Sequence, residues 1–319
     1  MNNRKSSQSW KKVPATLDSN YLRRLKPVTD NLRKEYKRLI EPELDNLLDT
    51  QYIDLDSKSF DDSVEEKVNK IFHEFQVNYY GVAYPLNSDP KTLAWRNKVE
   101  KQALIDGKSV ARIHKRRFDQ NVNFVIGVDP LKNDPWLSSV LRDWTAKNVG
   151  LIKGIPDFAI STMQSQIMES VIRGDSRKVL QGYLSQTLND SDSRLKLIAR
   201  DQTNKLYASL TKLRSQSNGW DFYQWLDSND VRVRKDHVVL NDLSQKQGFF
   251  FRFSDPPIMV TTGKRAGTKG NAGDDIQDRC VSIISFLPEW RFKKNNDFRG
   301  SYKLIPIEDL PPQDQKRIA

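Results

Sequence analysis

The sequence is short of the residue types that most often carry nucleophilic or metal chemistry. Its 319 residues include one cysteine, Cys280, and three histidines. A single thiol excludes an internal disulfide framework and fits synthesis in a reducing compartment. Long apolar runs are also missing. The run from Val281 to Leu287 is among the longest and is itself interrupted by Ser282 and Ser285. A membrane-spanning helix needs about 20 apolar residues, so no membrane partner is expected. The basic opening around Arg4 and Lys5 leads into no apolar segment, so no signal peptide is expected. Hydrophobic residues make up 37%, which is low for a fully compact globule and too high for a disordered chain. A real core with solvated elements attached follows.

Positive charge is plentiful. Lys and Arg number 52 against 41 Asp and Glu, a net charge of +11. The excess is clustered at Arg4, Lys5, Lys11 and Lys12, and again from Arg23 to Arg38. Further groups are Lys115, Arg116 and Arg117 beside His114, then Lys264, Arg265 and Lys269, then Arg291, Lys293 and Lys294. The bland reading is a solvated basic surface. The functional one is a polyanionic neighbour, because clustered cations release counterions from phosphates. Arg4, Lys5, Lys11, Lys12, Lys115, Arg116, Arg117, Lys264, Arg265 and Lys269 are then the expected nucleic-acid contacts. No base-reading motif is present, so such binding would be non-specific.

Along the chain, residues 1–16 are polar and basic and read as a flexible arm. From residue 30 to 49 the apolar positions Leu32, Tyr36, Leu39, Ile40, Leu44 and Leu47 carry a helical period, with Pro42 starting a new segment after a kink. Val64, Val68, Ile71, Phe72 and Phe75 repeat it over residues 63–80, with Ser63 and Glu66 as a capping box. Trp136, Leu137, Val140, Leu141 and Trp144 mark another helix. Pro156 suits the first turn of the next one, whose stripe runs from Ile160 to Ile172 and stops at Gly174. Residues 189–193 read as a polar loop before a long helix from Leu195 to Leu213.

After Gly219 the pattern changes. Residues 222–226, 249–253 and 280–286 read as strands, and Asp227 to Asp230 as a turn. Residues 261–275 hold four glycines and several cations but lack the spacing of a P-loop, so they read as a mobile basic loop. The expected class is α+β, mainly helical, with a small C-terminal β-sheet packed on a long helix. The expected organisation is a basic arm at 1–16, a helical region at 17–133, a principal domain at 134–290 and a tail at 291–319.

Four blocks within residues 134–286 resemble the phage Mu F-like head-morphogenesis family. The first runs from Trp144 through Asn148 and Lys153 to Pro156, and the second from Ile198, Ala199 and Arg200 to Thr203. The third joins Trp225, Asp227 and Asp230 to Arg232, Val233, Arg234 and His237. The fourth runs from Gly273 and Ile276 to Arg279 and Cys280. Asp278 stands where the family usually has a first cysteine, and Ala272 where it has proline, which weakens any paired Cys-x-Cys reading.

The resemblance implies a minor head protein inside the capsid of a tailed phage. It would be associated with the portal and with the major capsid or scaffolding protein, beside double-stranded DNA during packaging or ejection. It implies no cofactor and no enzyme activity. Arg200, Asp227, Asp230, Arg232, His237 and Arg279 are read as a buried structural network, since buried polar clusters must be fully satisfied and so specify one packing. Two alternatives stand beside it. One is a hydrolase or transferase using His237, Arg232 and Asp230, or a Cys280–His237 nucleophile pair if the imidazole reaches the thiol. The other is a mixed metal site of His237 and Cys280 with Asp227, Asp230 or Asp278, whose spacing matches no recognised zinc motif, so no metal is assigned.

Overall fold

The computed structural model describes residues 13–48, 62–80, 90–130, 133–259, 267–296, 298 and 300–316. The expected arm contacts Arg4, Lys5, Lys11 and Lys12 therefore lie outside the described residues, as do Lys264 and Arg265. Among the described residues six α-helices come first: α1 (Ala15–Glu35), α2 (Leu44–Leu48), α3 (Asp62–Tyr80), α4 (Pro90–Ile126), α5 (Leu137–Arg173) and α6 (Arg177–Ser217). Then follow β1 (Phe222–Leu226), α7 (Lys235–Gln245), β2 (Phe250–Arg252), β3 (Val281–Ile284), β4 (Phe292–Lys294), β5 (Ser301–Leu304) and the short α8 (Pro312–Gln315). This is the α+β arrangement that the sequence predicts. The chain divides into two compact units that are discontinuous in sequence, whereas the sequence pattern suggests contiguous segments.

One unit, residues 18–107 and 139–200, is helical. Its first element shows how the core is kept in register. Tyr21, Leu25, Val28, Leu32, Tyr36, Ile40, Leu44 and Leu47 are all buried, each three or four residues after the last. Between Glu35 and Leu44 the backbone widens into a π turn (Tyr36–Ile40) and then tightens into a 3-10 turn (Glu41–Glu43) containing Pro42. The wide turn adds a residue and the tight one returns the face to the core, so the apolar stripe continues into α2. Tyr79 donates to the Val28 carbonyl and Tyr80 to Asp157, fixing α3 against α1 and α5.

Two expectations fail in this unit. Pro156 lies inside α5, not at a helix start. Ile152, Ile155, Ala159 and Ile160 are buried on both sides of it, and that continuous burial offsets the lost helical hydrogen bond. Residues 189–193 are helix, not loop. Their side chains have partners that remove the incentive to turn. Ser191 donates to the Thr187 carbonyl, Gln186 to Asp190, and Asp192 receives Lys26 and Arg33. Burial pushes the Asp192 carboxyl up, but hydrogen bonds from Thr29, Lys26 and Arg33 prevail and hold it at about 2.

The second unit, residues 108–138 and 201–316 with the opening segment, holds the sheet. Its five strands are antiparallel in the order β3-β1-β2-β5-β4. Side chains alternate along β1. Tyr223 and Trp225 pack with Leu240 of α7, Phe251, Phe253 and Cys280. Phe222 joins Phe292 and Tyr302, with the Phe222 and Phe292 rings stacked 4.0 Å apart. Ile284 meets Phe118 and Val122 of α4, which seats the sheet on a long helix. Fully burying each such side chain contributes roughly 1.5–3 kcal/mol. The segment read as a tail supplies β4 and β5, a correction to the sequence reading. These strands are three and four residues long and rich in lysine, too short to show a period, yet Phe292 and Tyr302 anchor them.

Candidate functional site

The loop joining β1 to α7 and the segment leading into β3 carry most of the network residues singled out above. Asp230 is the hub of the first. Its Oδ1 accepts the Arg232 amide at 2.9 Å, and its Oδ2 the Ser228 hydroxyl at 3.2 Å. Arg279 adds a hydrogen bond and an ion-pair contact from the segment before β3. Asp227 makes a separate turn, accepting the Asn229 amide at 2.8 Å while Asn229 sits at φ 50°. Arg232 keeps its side chain largely in solvent, 3.7 Å from Asp230. Arg200 is half-buried on α6, in the helical unit.

His237 does not join that hub. It lies in the first turn of α7, with its ring against Trp225 in an edge-on contact at 5.1 Å. Its Nε2 is 3.1 Å from Asp275 Oδ2. Its Nδ1 is 3.2 Å from Cys280 Sγ and 3.3 Å from Asp278 Oδ1. The six residues expected to form one network thus separate: Asp230, Arg232 and Arg279 share a turn, Asp227 braces its neighbour, and His237 faces a different set of acids.

That set is held by backbone. Asp278 accepts the Cys280 amide on Oδ1 and the Gly273 amide on Oδ2, both at 2.8 Å. Gly273 has φ +89°, and a Cβ there would stand 2.5 Å from the Cβ of Ala208, so only glycine fits. From α6, Asp201 accepts the Gln277 amide at 2.7 Å and is itself paired with Lys205 at 2.9 Å. Burial pushes the Cys280 thiol far up, and the Asp278 charge adds to the shift. Burial raises the Asp278 carboxyl, but its bonds to His237 and the Cys280 amide leave it below the ordinary range. The condition set for a Cys–His pair, imidazole within reach of thiol, is met in distance. The electrostatics oppose it, because a nucleophilic cysteine needs electropositive surroundings and a lowered pKa.

A further cluster was not legible. His114 reads in sequence as part of a basic run without partners, yet it is buried between α4 and α6. Its Nδ1 is 2.5 Å from Arg214 Nη1 and its Nε2 2.8 Å from the Thr211 hydroxyl. Thr211 donates to the Tyr207 carbonyl, so it accepts from Nε2–H, and Nδ1 accepts from Arg214. The ring is neutral, and burial with the Arg214 charge pushes its pKa well below the ordinary value. Arg214, only 2% exposed, also grips Asp134 at 2.7 Å.

The basic residues divide. Lys115 is half-buried and paired with Asp119, and Lys269 is paired with Asp255. Arg116 is exposed and Arg117 half-buried. Lys108 and Arg112, which local pattern does not single out, are exposed eight and four residues before Arg116 and line one groove with it. That spacing sets three cations along one helix face. Arg291 faces inward, donating to the Ile305 carbonyl at 3.0 Å.

Comparison with known proteins bears on this region. Residues 161–283 match the family model described as Phage Mu protein F like protein. An uncharacterized protein of Haemophilus influenzae is 31% identical over 153 residues, covering 48% of this chain. The chain spans about a third, 31%, of the length of that relative. No solved structure is significantly similar.

Proposed function

Residues 161–283 are a phage Mu F-like segment, and from that premise we propose that the chain is a minor head protein of a tailed phage. It sits inside the capsid, contacts the portal and the major capsid or scaffolding protein, and serves head morphogenesis with DNA packaging or ejection. The family match carries this reading. The exposed cation row of Lys108, Arg112 and Arg116 supports the DNA part, since phosphates are bound by charge without base reading. No helix among the described residues is long and apolar enough to cross a membrane.

A structural role also agrees with the chemistry of the residues. His237 turns toward Asp275 and Asp278 and away from Asp230, so the hydrolase or transferase combination of His237, Arg232 and Asp230 does not converge on one point. Mass spectrometry of purified procapsids, virions and ejected particles tests the proposal. The chain is expected in procapsids and virions and cross-linked to the portal. Its absence from both particles would overturn the assignment.

A further inference from the structure

His237 Nδ1, Cys280 Sγ and Asp278 Oδ1 lie within 4.8 Å of one another, and all three residues are buried. A tetrahedral zinc ion holds nitrogen at about 2.0 Å and sulfur at about 2.3 Å. Tetrahedral angles then require about 3.5 Å between N and S and about 3.3 Å between N and O. The observed separations are 3.2 and 3.3 Å. These two sides of the triangle match zinc dimensions to within a few tenths of an ångström, and the sulfur–oxygen side is within 4.8 Å.

Two independent features point to a ligand at its centre. Asp275 stands 3.1 Å from the far nitrogen of His237. A carboxylate there accepts a hydrogen bond from Nε2–H, which leaves the Nδ1 lone pair to face the triangle. The second is the Trp225 indole N–H, buried without a hydrogen-bond partner on a ring that packs edge-on against His237 at 5.1 Å. A metal-bound thiolate would give it an acceptor. Beside the triangle lies a cavity of about 30 Å³, lined among others by Gly273, Asp278 and Cys280. It has room for a water beside two of the three residues, while His237 lies outside its lining.

We propose that His237, Asp278 and Cys280 bind one zinc-class divalent ion, with Asp275 orienting the imidazole from behind. Binding releases the Cys280 thiol proton to solvent and leaves a water in the fourth position. The mixed nitrogen, sulfur and oxygen set excludes magnesium and calcium, which prefer all-oxygen shells. The ion would tie α7 to the segment entering β3, joining His237 to residues 41 and 43 positions later.

Cobalt substitution of the full-length, untagged chain tests this. Cys280 is the sole cysteine, so a thiolate-to-cobalt charge-transfer band can come from no other residue. Stripped protein titrated with Co²⁺ should develop that band with one equivalent, together with tetrahedral d–d absorption, and zinc should displace both. Asp275→Asn should weaken zinc binding by roughly 10- to 100-fold. Folded wild-type protein that shows no charge-transfer band, or that retains no zinc through gel filtration, would overturn the site and leave an unmetallated hydrogen-bonded cluster. A band that persists unchanged in folded Cys280→Ser would overturn it equally.

Discussion

Arg279 closes on Asp230 with a hydrogen bond from Nη2 to Oδ1 at 2.7 Å and an ion-pair contact between Nη1 and Oδ2 at 2.5 Å, joining the turn after β1 to the segment that enters β3. The Arg279 hydrogen bond, with that of the Arg232 amide, holds the Asp230 carboxyl at about 2. An unfolded aspartate titrates near 3.9. A depressed carboxyl gives stability that is complete above the unfolded value and is lost as pH falls toward the folded one. Wild-type melting temperature should therefore drop more steeply between about pH 4 and about pH 2 than that of Asp230→Asn. Parallel slopes in a thermal-melt series would show that this pair does not govern acid sensitivity.

His114 titrates in the opposite sense to a paired histidine. Its folded pKa is pushed below the ordinary value by burial and by Arg214, so the unfolded chain binds the extra proton. Stability should be complete above about pH 6.5 and decline as pH falls below it. Urea midpoints at pH 7.5 and pH 5.5 should differ less for His114→Gln than for wild type.

Arg214 serves Asp134 and His114 at once from a nearly fully buried position. Arg214→Ala leaves the Asp134 carboxylate, itself only 10% exposed, without its partner. A loss of roughly 3–5 kcal/mol is expected in urea unfolding. Arg214→Lys should recover only part of it, because an ammonium cannot reach both partners with a planar fork.

Gly273→Ala should cost roughly 1–3 kcal/mol, from the left-handed backbone and from overpacking against Ala208. Adding Ala208→Gly removes the clash but not the backbone strain, so the double variant should recover part of the loss and no more. Full recovery would mean that the positive φ carries no cost.

The Lys108, Arg112 and Arg116 row should bind duplex DNA without sequence preference. Each phosphate contact contributes about −0.9 to the slope of log affinity against log salt. Replacing all three with alanine should make that slope shallower by up to about 2.7 in fluorescence-anisotropy titrations. An unchanged slope would place DNA contact elsewhere.

Local signals were read well from sequence. Residues 222–226 are a strand to the residue, and Gly174, at φ +67°, follows the last residue of α5. Elements that depend on distant partners were not legible. Residues 189–193 look like a loop because the ion pairs of Asp192 with Lys26 and Arg33 are invisible to local pattern. The short β4 and β5 show no period, and only the Phe222–Phe292 stack reveals why they pair. The same holds at the candidate site. His237 and Cys280 stand out by residue type, and Asp278 was among the possible companions. Asp275, 38 residues from His237, had no signal of its own. His114 was hidden by its basic neighbours Lys115, Arg116 and Arg117.

The strand order β3-β1-β2-β5-β4 has a consequence for a chain made from its N-terminus. β1 and β2 emerge first and form the middle of the sheet, with an unpaired edge on each side. β3 later covers the β1 edge, and β5 the β2 edge. Until β3 leaves the ribosome, β1 presents open hydrogen-bonding groups and His237 lacks both Asp278 and Cys280. The nascent sheet is thus exposed to edge-to-edge pairing with neighbouring copies until β3 and β5 have emerged. Ordering the strands this way makes the segment from Val281 to Leu304 the part that renders the earlier strands safe from self-association.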